Sequence, residues 1–300
     1  MKQPRFLALA ALVLSFVVLL AACGSEGGDT DTDDQPAAGG TSGSEEPEGP
    51  DCAVDSLALY QEGQLTIATD KPAYEPWFKG NDPTNGKGFE SAVAYAVAEE
   101  MGFTRDQVEW VVEPFNKSYA PGPKNYDFDI NQISITPKRE EAVDFSEGYY
   151  DVNQALITLE DSDIADASSV TELKDAKLGA QVGTTSFAYI QQYIEPSDQP
   201  FTYDNTNDAK SALRAGQIDG IVVDLPTAFF ITAVEIPGSK VAGQFTTQGA
   251  APEQFGLLFE SGNPLVECVD QAITTLKDDG TLAQIQDEWL SQAVDAPVIE

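Results

Sequence analysis

Histidine is absent from the 300 residues of this chain. Its absence excludes histidine general bases, Ser-His-Asp triads and imidazole metal sites. Basic residues are also few, because 16 lysines and arginines stand against 50 aspartates and glutamates, for a formal net charge of −34. With so few cations to neutralise phosphates, the chain is not expected to bind nucleic acid. The charge indicates a solvated acidic surface and says little about the fold.

Cysteine is scarce, with Cys23, Cys52 and Cys268 the three in the chain. In an exported protein, Cys52 and Cys268 predict one disulfide bond, and two separate thiols are the alternative. Removing such a bond typically costs about 2–5 kcal/mol of stability.

An apolar run long enough to span a membrane is lacking as well. The run at residues 6–20 has fifteen residues, against the roughly 20 that a spanning helix needs. Lys2 and Arg5 precede it and small residues follow, which predicts a secretory signal peptide at residues 1–22. Cys23, directly after the small residues, resembles the lipidated cysteine of the bacterial lipoprotein lipobox. An ordinary secretory signal with an incidental cysteine is the alternative.

Residues 23–50 begin with the predicted lipidated cysteine and contain no aromatic residue and no aliphatic residue larger than alanine. Such a segment cannot bury enough apolar surface to offset its chain entropy. We therefore expect a disordered acidic tether between a lipid anchor and the folded part.

Strand and helix patterns alternate after the tether. Strand-like runs occur at residues 65–69, 108–112, 178–182, 218–223 and 255–259. Amphipathic or helix-favouring patterns occur at residues 89–101, 187–193, 210–215, 264–280 and 282–289. This alternation predicts an α/β architecture with largely parallel sheets.

Seven segments, in order and spacing, resemble the bacterial solute-binding proteins that supply polar amino acids to ABC importers. The most specific begins with Ser-Ile-Thr-Pro-Lys-Arg at 134–139 and continues with Val-Asp-Phe-Ser at 143–146 and two tyrosines at 149–150. The others lie at residues 69–77, 88–90, 173–185, 216–224, 253–256 and 279–281. The resemblance spans about residues 57–291. It fails at residues 119–123, where relatives carry a helix that two prolines around a glycine cannot form.

The resemblance implies a two-lobed, periplasmic-binding-protein-like fold of type II. Each lobe would be a sheet flanked by helices, with the ligand in the cleft between the lobes and two crossover strands as the hinge. Lobe 1 would comprise residues 52–150 plus 254–300, and lobe 2 residues 151–253. The hinge would lie near residues 150–152 and 250–254. Cys52 and Cys268 then fall in the same lobe, which permits the disulfide.

A free amino acid carries a carboxylate and an ammonium, and a closed cleft strips both of water, so each needs an opposite charge or several dipoles. By the resemblance, Arg139 binds the carboxylate, for which its planar fork is suited. The amide of Thr185, beside Thr184 at a helix start, adds a second contact from the opposite lobe. Asp224 binds the ammonium, and Ser134 adds an oxygen acceptor.

The resemblance further places Tyr74 and Phe115 as aromatic walls, and Asp70, Gln132 and Gln181 against the ligand side chain. A carboxylate at Asp70 disfavours an acidic ligand, and two amides favour hydrogen bonding. A polar uncharged or basic amino acid, such as glutamine, is the expected ligand.

Each of these assignments has a simpler alternative. Arg139 would otherwise be a surface arginine at a helix start. Asp224 would cap the helix that Leu225 and Pro226 open. Tyr74 and Phe115 would be ordinary core residues.

The function that the resemblance implies is binding without catalysis, in a lipid-anchored extracytoplasmic component of an ABC importer. The expected partners are an amino acid, the permease subunits and the membrane through the anchor; a monomer without cofactor or metal is expected. A dehydratase-like enzyme on the same scaffold, using Asp70, Glu75 and Asp224 for acid–base chemistry, is one alternative. A ligand-sensing subunit of a receptor is another.

Overall fold

A computed structural model describes residues 50–246, 252–291 and 296–300. The predicted signal peptide at 1–22, the lipidation site Cys23, almost all of the tether at 23–50 and positions 250–251 of the predicted hinge lie outside the described residues.

Twelve strands and eight helices are present in the described part of the chain. The strands are β1 (Leu65–Thr69), β2 (Val108–Val112), β3 (Phe128–Asp129), β4 (Val143–Phe145), β5 (Tyr150–Val152), β6 (Gln154–Leu159), β7 (Leu178–Gln181), β8 (Phe201–Tyr203), β9 (Gly220–Asp224), β10 (Ser239–Phe245), β11 (Glu253–Phe255) and β12 (Leu258–Glu260). The helices are α1 (Phe89–Glu100), α2 (Phe115–Ser118), α3 (Pro137–Glu140), α4 (Thr185–Tyr189), α5 (Thr206–Arg214), α6 (Leu225–Phe230), α7 (Leu265–Asp278) and α8 (Thr281–Leu290). Single π-helical turns extend α4 and α6.

The strands form two five-stranded sheets, ordered β2-β1-β3-β12-β4 and β10-β6-β9-β7-β8. The expected α/β class is confirmed, but the expectation of largely parallel sheets is wrong. In the first sheet β1 runs parallel to β2 and β3, whereas β12 is antiparallel to β3 and β4. In the second, β7 is parallel to β8 and β9, whereas β6 is antiparallel to β9 and β10. The antiparallel pairs include strands next to the two connections between the sheets.

Those connections contain β5 and β11, which pair antiparallel with each other apart from both sheets. The single strand predicted at residues 255–259 is therefore wrong, because β11 and β12 divide it. Gly256 lies at the break, where a Cβ atom would come within 2.8 Å of the Ile135 side chain. The chain leaves the connecting pair at this close approach and enters the first sheet at Leu258, opposite Phe145.

Separate cores support the two sheets. Helix α1 packs on the first sheet through Phe89, Val93 and Val97, the positions that recur every four residues. The second sheet is buried on both faces, because alternate residues of β9 point to opposite sides: Ile221 packs in one cluster and Val222 in another.

The predicted disulfide is confirmed. Cys52, just before the first sheet, is bonded to Cys268 of α7, with a Cα–Cα distance of 5.5 Å. Cys268 is 4% exposed in the core of the first sheet, so the bond fixes the start of the folded part to that core.

The last five residues return to the second sheet. The Ile299 amide donates to the Gln244 carbonyl, and the Ile299 side chain lies in a core cluster of that sheet. The predicted division had placed residues 254–300 together on the first sheet, and these contacts remove 296–300 from that group.

Candidate ligand-binding site

All ten residues predicted to contact a ligand line one cleft between the facing edges of the two sheets. Several of these residues lie at the last position of a strand or directly after it. Asp70 comes after β1 in the first sheet, whereas Gln181 and Asp224 are the last residues of β7 and β9 in the second. The carboxyl ends of parallel strands commonly form binding crevices in α/β folds.

Arg139 reaches this cleft from α3 and is 7% exposed, so it is not the surface arginine of the alternative interpretation. Its Nη1 donates to the Ser134 carbonyl at 2.6 Å and its Nη2 to the Gly183 carbonyl of the other sheet at 3.1 Å. Its guanidinium carbon lies 4.8 Å from the centre of the Tyr119 ring and 5.5 Å from that of Phe115. Burial lowers the pKa of Arg139, but arginine stays protonated in proteins, so the cleft contains a fixed cation.

Asp224 occupies the N-cap position of α6, yet its side chain makes no capping hydrogen bond. Its Oδ1 instead accepts a hydrogen bond from Gln154 Nε2 at 2.9 Å. Capping alone therefore does not account for this carboxylate. Burial, followed by the nearby charge of Glu253, raises the pKa of Asp224 to about 8. Glu90 adds to the rise, whereas the Gln154 hydrogen bond and the Arg139 charge oppose it.

Thr184 caps α4, because its Oγ1 accepts a hydrogen bond from the Phe187 amide at 3.1 Å. Thr185 is consequently the first helical residue, as expected for an amide that contacts an anion. Its Oγ1 lies 3.2 Å from Ser134 Oγ, which approaches from the first sheet. The two hydroxyls thus meet across the cleft.

The bacterial extracellular solute-binding proteins of family 3 match this chain over residues 65–292. The chain belongs to this family.

Two relatives are the L-arginine-binding protein of Pseudomonas aeruginosa and the ABC transporter glutamine-binding protein GlnH of Bacillus subtilis. The first is 28% identical over 250 residues, which cover 79% of this chain and 94% of the relative. The second is 25% identical over 295 residues, which cover 97% and 98%. An ancestral arginine-binding protein, solved bound to arginine, superposes with a TM-score of 0.64 at 28% identity, covering 76% of this chain and 98% of that one. The type II binding-protein fold is thereby confirmed.

The three side chains expected to select the ligand differ in the hydrogen bonds that they already make within the protein. The backbone and side-chain nitrogens of Gln132 both donate to the buried Glu90 carboxylate. Gln132 therefore lines the cleft with its amide already engaged. Its φ is +47°, in the left-handed region that favours glycine. Gln181 Oε1 accepts a hydrogen bond from Thr206 Oγ1 at 3.1 Å, and Asp70 Oδ1 accepts one from the Lys71 amide at 2.6 Å.

The predicted aromatic walls prove to be partly core residues as well. Phe115 is 8% exposed and packs in a cluster with Tyr126 and Leu258 while lining the cleft. Tyr74 lines the cleft and packs against the core of the first sheet; Lys210 Nζ of α5 lies 5.4 Å from the centre of its ring. Both residues therefore line the cleft and also pack against a hydrophobic core.

Sequence reasoning missed four residues of this site: Tyr119, Glu253, Gln154 and Trp77. Tyr119, which follows directly after α2, places its ring over Arg139. Trp77 Nε1 donates to Thr227 Oγ1 of α6 at 2.9 Å, a direct contact between the two sides of the cleft. Trp77 and Glu253 lie inside segments 69–77 and 253–256, which carry the family resemblance. The sequence therefore marked both positions, but it did not indicate what either side chain contacts.

In the described part of the chain, no cluster of three or more Asp, Glu or Cys side chains is arranged to hold a metal ion. Among the described helices, none is both long enough and apolar enough to cross a bilayer.

Proposed function

We propose that this protein is the amino-acid-binding component of an ABC importer on the outer face of the cell membrane. The observation that carries the proposal is that Arg139 and Asp224, from opposite sheets, line one cleft. A cation and a carboxylate placed in this way match the two charges of a zwitterion. The names of the relatives, which bind arginine or glutamine, support an amino acid as the solute.

The ligand carboxylate would meet the three N–H groups of Arg139 that the two carbonyl bonds leave over, together with the amide of Thr185. The ammonium would meet Asp224, with Ser134 Oγ as a further acceptor. Tyr74 and Phe115 would enclose the carbon chain. Asp70 and Gln181 would face the ligand side chain, and the Asp70 carboxylate favours a basic or uncharged polar end over an acidic one.

Capture and closure would use the two lobes of the sequence-based division, with residues 296–300 moved to lobe 2. Strands β5 and β11 would act as the hinge. The contacts between Trp77 and Thr227 and between Arg139 and Gly183 would form as the lobes close on the solute. The closed form would then dock on the permease as a monomer.

The anchor is a further part of the proposal. Cleavage after residue 22 would leave Cys23 as a lipidated N-terminus, and two or three acyl chains hold a protein firmly to a membrane. Metabolic labelling with a radioactive fatty acid should mark the wild-type protein and leave a Cys23→Ala variant unlabelled. Label on the variant would contradict lipidation at Cys23.

A thermal-shift screen against the twenty L-amino acids and cystine tests the central proposal. A ligand at 100 times its dissociation constant stabilises the fold by about 2.7 kcal/mol, so the true ligand should stand out clearly. The same solute, recovered after incubation and examined by NMR, should be unchanged, because binding without conversion is proposed. No stabilisation by any member of the panel would contradict amino-acid binding, and product formation would favour the dehydratase-like alternative.

A further inference from the structure

A second carboxylate stands beside Asp224 in the cleft. Glu253 opens β11 and pairs with Val152 of β5, so it belongs to the connecting strands rather than to either sheet. One of its oxygens accepts a hydrogen bond from Ser134 Oγ, and the other accepts from Gln154 Nε2 at 3.2 Å. Glu253 thus contacts a residue of each lobe from the proposed hinge.

Glu253 and Asp224 share one hydrogen-bond donor. Gln154 Nε2 lies 2.9 Å from Asp224 Oδ1 and 3.2 Å from Glu253 Oε2, so these two carboxylate oxygens are no more than about 6 Å apart. The Gln154 side chain is almost fully buried, and its Oε1 is occupied by Ser186 Oγ at 2.6 Å. A neutral amide offers two hydrogens and no charge, so it links the two acids without neutralising them.

The other charged groups nearby do not provide the missing compensation. Glu90, of α1, is a third carboxyl that acts on Asp224. Arg139 is the cation that acts on both acids, but its Nη1 and Nη2 each donate to a backbone carbonyl. Two like charges held close together in a poorly solvated site are unfavourable, and among the described residues no lysine or arginine forms an ion pair with either acid.

The cationic group of a ligand has the properties that this place requires. An ammonium carries one positive charge and three N–H donors, enough to reach Asp224, Glu253 and a hydroxyl such as that of Ser134 together. We propose that Glu253 is a second recognition carboxylate, which binds the ligand ammonium jointly with Asp224 and disfavours closure of the cleft until that ammonium is present. This inference rests on the proposed function and adds to it a link between the ligand ammonium and closure of the cleft.

The test uses Glu253→Gln, which keeps the shape and removes the charge. The control is Asp151→Asn, which removes a charge from β5, the strand that pairs with β11. Asp151 is exposed, and its Oδ1 accepts a hydrogen bond from the Gln254 side chain. Titration calorimetry with L-arginine and L-glutamine should show affinity for the bound amino acid at least about tenfold weaker in Glu253→Gln, and unchanged in the control. Small-angle X-ray scattering at pH 9, above the raised pKa of Asp224, should show a smaller radius of gyration for ligand-free Glu253→Gln than for ligand-free wild type.

Two results would overturn the inference. One is an affinity within twofold of wild type. The other is weaker affinity with an unchanged ligand-free radius, because Glu253 would then be an ordinary contact without influence on closure. If wild type binds neither amino acid in this titration nor any solute in the panel screen, the proposed function fails, but the ligand-free scattering comparison still tests the repulsion between the two acids.

A measurement on the wild type alone covers the case in which Glu253→Gln does not fold. L-Glutamine and glutaramic acid differ by the amino group. The inference predicts that wild type contracts with an amino acid that it binds and does not contract with its deamino analogue, even at high concentration. Equal contraction with both compounds would show that closure does not need the cation.

Discussion

At one end of the cleft, Arg139 is surrounded by partners that the protein itself supplies: two backbone carbonyls and the rings of Tyr119 and Phe115. At the other end, the partly exposed Asp224 lies next to a second carboxylate and receives one amide hydrogen bond. The Ser134 carbonyl and the two rings lie on the same side of the cleft as Arg139 and hold it before any ligand arrives, and the Gly183 carbonyl joins them on closure. The second end, in contrast, is balanced only when a cation enters. This asymmetry predicts that the two ends respond differently to mutation and to pH.

The largest effect is expected from Arg139→Ala. Removing one partner of a desolvated charge pair costs about 2–5 kcal/mol, so calorimetry should show affinity weaker by roughly 30-fold to a few thousandfold. Arg105→Ala is the matched control, because Arg105 also lies over a tyrosine ring, that of Tyr95 at 4.0 Å, and donates to a backbone carbonyl away from the cleft. If both variants bind as wild type does, Arg139 has no part in recognition.

Asp224→Asn should weaken binding less, by roughly tenfold to a hundredfold, because Glu253 remains to meet the ammonium. Its effect on the empty protein should have the opposite sign from that of Arg139→Ala. At pH 9, above the raised pKa of Asp224, the folded wild type holds this carboxylate beside that of Glu253, and asparagine removes one of the two charges. Thermal unfolding at pH 9 should therefore show a more stable Asp224→Asn and a less stable Arg139→Ala. The same direction of change in both variants would refute the asymmetry.

Ligand affinity should also depend on pH. Burial raises the pKa of Asp224 to about 8, so below that pH the carboxyl must release a proton before it can pair with an ammonium. Calorimetry should show affinity falling as the pH is lowered from 8 to 6, by up to about tenfold per unit for one proton. The slope should be shallower in Asp224→Asn. A flat profile for wild type would mean that Asp224 does not bind the cation.

The stability of the empty protein should follow the same titrations. Burial raises the pKa of Asp224 from 3.8 to about 8 and that of Glu90 from 4.5 to about 7. Between the unfolded and folded values the folded state binds more protons, so its stability decreases as pH rises through this range. Urea unfolding should give a lower free energy of unfolding at pH 8 than at pH 5. Carboxyls whose pKa is lowered on folding, such as Glu147, change stability in the opposite direction, so they reduce this difference. Glu90→Gln should reduce the difference, and an equal pH dependence in that variant would exclude Glu90.

The smallest effect is expected at Tyr119, whose ring lies over Arg139. Cation–π contacts contribute about 0.5–2 kcal/mol, so Tyr119→Leu should weaken binding by roughly two- to thirtyfold. Tyr119→Phe keeps the ring and loses only the hydroxyl bond to Asn116, so it should bind as wild type. A loss of affinity in Tyr119→Phe as large as in Tyr119→Leu would assign the effect to the hydroxyl instead.

Local patterns predicted the elements that make mostly local contacts. The β-type run at residues 65–69 became β1, and the apolar recurrence from Phe89 to Met101 became α1. The ten cleft residues were predicted through a resemblance whose segments keep their order along the chain. Those segments end strands or begin helices, and the fold brings such points together at the facing edges of the two sheets.

What sequence reasoning missed depends on contacts between distant residues. The break at Gly256 arises because β11 pairs with β5 whereas β12 pairs with β3 and β4, a change of partner that no local pattern reports. The Gln132 amide was expected to face the ligand, but it binds Glu90, 42 residues earlier in the chain. Glu253 lies close to Asp224, which is 29 positions earlier in the chain. The Gln154 side-chain amide links the two acids, and Gln154 belongs to neither of the segments that contain them.

A crystal structure of the protein with the amino acid that most stabilises it in the screen is the most direct test of the central claim. We expect the ligand carboxylate on the Arg139 guanidinium and the ligand ammonium on Asp224, with Glu253 as the second acceptor. A ligand bound elsewhere, or bound in this cleft with its ammonium away from both acids, would contradict it.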